Sequence, residues 1–149
     1  MNIELSTYQS RISDFISQMP RNKLVIVKDG IDDIDDIQFL NIGDILSNSF
    51  VDIITHTQFS LKAKDIIAQV LDQKSESHNE LGKYLAISNI GILLEEELKF
   101  DFKSFLDTYS NDQVLLLKWE GLIENNKLYF LTKQNGIEID ISDLSHIII

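Results

Sequence analysis

The chain has 149 residues, 44% hydrophobic and 25% charged, the size and balance of one globular domain that can bury its own core without a staple. It has no cysteine, which excludes disulfides, thiolate metal sites and thiol catalysis. Its 24 acidic and 13 basic residues leave a formal net charge of −11, which repels a phosphate backbone, speaks against direct nucleic-acid contact and favours a basic partner.

Met1 to Leu5 has neither a basic flank nor an apolar core, so no signal peptide is expected. No apolar run approaches the ~20 residues of a membrane span, and a cytoplasmic location with no membrane contact is the expectation. From Ile3 to Met19, apolar residues at Leu5, Tyr8, Ile12, Phe15, Ile16 and Met19 follow helical spacing. Ser6 and Gln9 would form a capping box if the helix began there, and Pro20 ends it. Leu24-Val25-Ile26-Val27 reads as a strand buried on both faces. A loop from Lys28 to Asp36 follows, with Gly30 and five aspartates, and then Ile37 to Asn41 as a second strand. Gly43 to Phe50 and Leu61 to Asp72 read as helices, and the polar stretch Gln73 to Glu80 as an exposed turn.

Tyr84 to Ile87 is a third strand, Phe102 to Tyr109 a helix and Val114 to Leu117 a fourth buried strand. Helices alternating with apolar strands predict a three-layer α/β/α core with a mostly parallel sheet, its strands near 24–28, 37–41, 84–88 and 113–118. After Gly121 the pattern changes. Leu122 to Glu124 and Leu128 to Thr132 flank Asn125-Asn126, a pair suited to a two-residue turn. Ile137, Ile139 and Ile141 alternate with acids just after Asn135-Gly136. The chain is thus read as one α/β domain, with a core over 1–121 and an antiparallel β-meander over 122–149, to which Ile147 to Ile149 can add a strand.

Candidate sites are few. His56, His78 and His146 lack ligand-like spacing, and a zinc site needs three or four ligands. Asp29, Asp32, Asp33, Asp35 and Asp36 do not fit the calcium-loop register; a solvated loop is the reading, with a weak cation site as the alternative. Glu95-Glu96-Glu97 read as the solvated start of a helix, where the dipole favours acids. No G-x-S-x-G elbow occurs, and no nucleophile–base pair can be assembled. No catalytic residue, cofactor or metal ligand is therefore assigned. Trp119, the sole tryptophan, is either a core residue with its N–H bonded at the rim or a partner-binding anchor, and it is the one candidate partner contact.

Three segments carry a resemblance: Phe39-Leu40-Asn41-Ile42-Gly43-Asp44-Ile45-Leu46-Ser47, Tyr84-Leu85-Ala86-Ile87-Ser88-Asn89-Ile90-Gly91-Ile92-Leu93-Leu94, and Gln113-Val114-Leu115-Leu116-Leu117-Lys118-Trp119-Glu120-Gly121. In order and pattern they resemble small P-loop NTPase domains, and more narrowly the BrxF-type P-loop proteins of BREX phage-defence operons. The resemblance implies a P-loop-like scaffold and an antiviral-defence setting with an operon-encoded protein partner. The departures are chemical. A Walker A loop needs G-x-x-x-x-G-K-[ST], whereas Lys28 to Asp36 has one glycine, no Gly-Lys pair and no Ser or Thr for magnesium. Where the Walker B acid is expected stands Ser88. The expectation is a non-catalytic subunit or adaptor on a scaffold that has lost nucleotide binding. The alternatives are a stand-alone acidic immunity or regulatory protein binding one basic partner, and an enzyme of unrecognised kind.

Overall fold

The computed structural model describes residues 3–31, 34, 37–51, 53, 58–130 and 136–149, with side chains from residue 8 onward. It has the α/β architecture that the periodicity predicts. Helix α1 spans Ile3–Ser17 and strand β1 spans Leu24–Lys28. Strand β2 (Leu40–Asn41), helices α2 (Ile42–Phe50) and α3 (Phe59–Lys74), and strands β3 (Glu76–His78) and β4 (Gly82–Ser88) follow. Two short 3-10 helices, Ile90–Leu94 and Glu96–Leu98, lead to α4 (Phe102–Asp112) and β5 (Val114–Trp119). Strands β6 (Leu122–Glu124), β7 (Lys127–Phe130), β8 (Ile137–Asp140) and β9 (His146–Ile148) complete the chain.

Five strands pair in parallel in the order β2-β4-β5-β1-β9, and β3 adds antiparallel to β4. The central strands β1, β4 and β5 carry the aliphatic runs because both of their faces are covered. Leu24, Ile26, Leu85, Ile87, Leu115 and Leu117 point to one face, where α2, α3 and α4 pack. Val25, Val27, Ala86, Val114 and Leu116 point to the other, under Ile12 and Phe15 of α1. Two described residues between β1 and β2, Ile34 and Ile37, form a strap over that second face. Ile34 and Ile37 bridge each other in antiparallel fashion and are buried against the sheet. A separate antiparallel sheet, β6-β7-β8, is built by the tail. Its β6–β7 turn places Asn125 at φ 54° and Asn126 at φ 60°, the paired positive φ of a two-residue type I′ turn.

Several expected boundaries move. The capping box at Ser6 is not the helix start, since α1 already begins at Ile3, and α1 ends two residues before Met19, whose φ is 54°. The second strand is confined to Leu40–Asn41, because Ile37 is used in the strap rather than in the sheet. The stretch expected as an exposed turn contains the end of α3 and strand β3, whose pairing with β4 needs only its backbone. His78 is half-buried, and its Nδ1 accepts the N–H groups of Glu80 and Leu81 at 3.1 and 3.3 Å, closing the β3–β4 turn. Glu95 to Glu97 do not open an α-helix; they join and begin the 3-10 turns. The meander ends at β8, because β9 leaves it and pairs with β1, Val25 opposite Ile147. Thr132 and Asn135, expected in the second hairpin, lie outside the described residues.

Candidate functional site

In parallel α/β sheets ligands bind beyond the carboxyl ends of the strands, where neighbouring connections pass to opposite faces of the sheet. Here that place lies between β1 and β5. The chain leaving β1 passes over the α1 face through Ile34 and Ile37, and the chain leaving β5 packs Leu128, Ile139, Ile141 and Leu144 against the opposite face. A resemblance to P-loop proteins would place the triphosphate at the same end, cradled by backbone N–H groups after β1.

Four consecutive amides, from Lys28 at the end of β1 to Ile31, are already committed. Lys28 N–H donates to the Ile149 carbonyl at 3.0 Å and Asp29 N–H to the Trp119 carbonyl at 3.1 Å. Gly30 N–H donates to Asp29 Oδ1 at 3.1 Å and Ile31 N–H to the Lys28 carbonyl at 3.3 Å, closing a turn. Gly30 holds φ 96°, the left-handed geometry that this turn requires and that glycine adopts at no steric cost. Among the described residues no helix stands between β1 and β2, so no helix N-terminus faces the end of β1. These four amides are therefore not free to cradle a phosphate.

The neighbouring strand ends are closed by side chains. Ser88, at the end of β4, donates its Oγ–H to the Leu40 carbonyl at 3.3 Å. Asn89 adopts φ 55° and its Nδ2 donates to Asn41 Oδ1 at 2.8 Å, while Asn41 Oδ1 also accepts Asp44 N–H at 3.0 Å and caps α2. A Cβ at Gly43 would lie 2.9 Å from the Asn89 carbonyl oxygen as well as 2.4 Å from Asn89 Nδ2, so glycine permits this close approach. A cavity at this edge, lined by Asn89, Gly91, Lys118, Glu120 and Phe130, measures about 160 Å³. That is well below the roughly 300–1,000 Å³ of pockets that enclose drug-sized ligands.

Trp119 is 1% exposed. Its ring packs near Phe102 and edge-on to Phe130, at centroid distances of 6.5 and 6.3 Å. Its Nε1–H donates to the Tyr129 carbonyl on β7 at 3.2 Å, so a partner cannot seat on the ring while the tail sheet is in place. The residue offered by the sequence as a partner contact is in this fold a core residue that latches the tail sheet to the main one. Gly121 belongs to the same device. A Cβ there would meet the Tyr129 carbonyl oxygen at 2.1 Å and Trp119 Nε1 at 3.0 Å, so the Trp119-Glu120-Gly121 ending has a packing reason.

The other candidates stay apart. His146 bridges the Leu144 carbonyl at 2.7 Å and the Asn126 side chain at 3.3 Å, a structural role. His56 and four of the five loop aspartates lie outside the described residues. Among the described residues no group of three His, Asp or Glu could hold a metal ion, and no helix is long and apolar enough to cross a membrane. No protein-family model matches the chain, and neither the curated proteins nor the solved structures compared with it contain a match.

Proposed function

We propose that this chain is a non-catalytic subunit or adaptor of a bacterial multi-protein anti-phage defence system, built on a P-loop-like scaffold that does not bind nucleotide. The observation that carries the non-catalytic part is the commitment of four successive amides, residues 28 to 31, to acceptors within the chain. A triphosphate site works by aiming free amides and a lysine at the phosphates. The defence setting rests on the resemblance of three segments, which here form β2 with α2, β4 with the first 3-10 turn, and β5, and whose three strands are neighbours in one parallel sheet. With no enzyme chemistry to perform, the work of the chain is to hold another operon-encoded protein.

The test is purification of the tagged chain expressed from its own operon. A second operon-encoded subunit is expected to co-purify in stoichiometric amount; recovery of the chain alone removes the adaptor reading. The net charge of −11 favours a second reading, an immunity or regulatory protein that captures one basic partner electrostatically. A complex whose formation slows steeply with salt, beside a neighbouring toxin or nuclease gene, supports that reading over the first.

A further inference from the structure

We infer that the apolar groove beside the end of α2 is a docking site for a basic amphipathic helix of a partner protein, an inference that rests on the protein-binding reading above and names its surface. The groove measures about 550 Å³. Its apolar lining includes Phe50, Val51, Phe59 and Leu98, and Glu95 and Glu97 also line it. Phe50 and Leu98 are buried, and Phe59 stands edge-on to Phe50 at 5.6 Å. Val51 is 67% exposed, an aliphatic side chain left in water at the lip.

Three features choose the occupant. The apolar walls gain from burying apolar side chains, which neither a free phosphate nor a sugar supplies. Glu95, Glu96 and Glu97 are exposed and have no ion-pair partner among the described residues, and no basic residue among them lines the groove. The C-terminal end of α2, capped by Val51, adds the partial negative charge of its last carbonyls. An apolar face flanked by Lys or Arg complements all three. Among the described residues the lining comes from helices, 3-10 turns and their caps, with no strand among them, so an added strand finds no edge there to pair with, whereas a helix laid in the groove needs only its side chains.

The experiment is fluorescence anisotropy on the full chain with a labelled leucine–lysine amphipathic helix about 18 residues long, against a shuffled peptide of the same composition without an apolar face. The amphipathic peptide is expected to bind at least about tenfold more tightly than the shuffled one. Val51→Lys, compatible with a helix C-terminus, is expected to weaken it by about tenfold or more. Leu61→Lys adds the same charge at an exposed apolar residue of α3 outside the groove and is expected to change affinity by less than about twofold. The pair Glu95→Gln and Glu97→Gln is expected to weaken binding severalfold and flatten its salt dependence. Equal binding of both peptides, equal losses in Val51→Lys and Leu61→Lys, or no binding at all overturns the groove assignment. An operon subunit that still co-purifies with the Val51→Lys chain in that event leaves the adaptor reading standing, which separates the two failures.

Discussion

Replacing Trp119 with alanine is expected to destabilise the fold by about 3–5 kcal/mol, the range for truncating a buried large aromatic. The side chain is 1% exposed, faces Phe102 and Phe130, and donates to the Tyr129 carbonyl, so the variant loses packing and leaves an acceptor to find another donor. For a chain of this length such a change lowers the melting temperature by roughly 10 °C or more. Urea titration should show a lower midpoint with the slope unchanged if only the native state is affected. Gly121→Ala should move in the same direction by about 1–3 kcal/mol, because its new methyl meets the Tyr129 carbonyl oxygen that Trp119 bonds, and backbone rather than a flexible side chain must give way. A Gly121→Ala chain as stable as the parent would show that the latch does not constrain β7.

The second large effect is expected at Asn22, a fully buried amide between α1 and β1. Its Nδ2 reaches Asp107 Oδ1 at 2.8 Å, the Asp107 carbonyl at 3.2 Å and Ser110 Oγ at 3.1 Å, while its Oδ1 accepts from Arg21 Nη1 at 3.3 Å. Asn22→Ala removes a donor shared by α4 acceptors and should cost about 1–3 kcal/mol. It also has a pH signature. The Asn22 amide, and secondarily the Arg21 guanidinium, holds the Asp107 carboxyl below its ordinary range. A depressed folded-state value means that the unfolded chain binds more protons in acid. The contribution is therefore present above the ordinary carboxylate value, near ~4, and is lost as pH falls below it toward the folded value. In Asn22→Ala the fall of stability on acidification should be shallower. It should not vanish, because Asp101, Asp140 and Asp143 are lowered too, mainly by hydrogen bonds with Ser104, Ser142 and Lys103 respectively. An acid limb identical in variant and parent would remove Asn22 as the cause.

What was legible in the sequence follows the range of the interactions. β1, β4 and β5 are aliphatic runs because each is buried on both faces, a local signature of a central parallel strand. β3 carries Glu76-Ser77-His78 and pairs at an edge through its backbone, so its side chains announce nothing. β9 reads correctly as a strand, yet its partner β1 lies more than a hundred residues earlier, and no local pattern distinguishes that pairing from a meander. The strap shows the same limit: Ile37 is apolar because it is buried over the sheet face, which imitates a strand. At the site, the absence of Walker residues was plain from composition, whereas the use of the loop amides by Ile149 and Trp119 depends on non-local contacts. The role of Gly121 had a signal, a glycine two residues beyond a strand-end tryptophan and just before a hairpin. The groove had none, since Phe50, Val51, Phe59 and Glu95 are scattered along the sequence and meet only through tertiary packing.

On the proposed reading, the strand ends beyond β1 and β4 do not bind nucleotide. Lys28 is the one basic residue between Leu24 and Asp36, it precedes its glycine, and five aspartates follow. Even in water, two like unit charges at ~4 Å cost about 1 kcal/mol, and more near a protein surface. The amides that would offset that repulsion are already bonded, and Ser88 offers no carboxylate for magnesium. Titration calorimetry of the full chain with ATP and magnesium is the direct measurement: only heats of dilution are expected, and a stoichiometric micromolar site that disappears in Lys28→Ala would contradict the account.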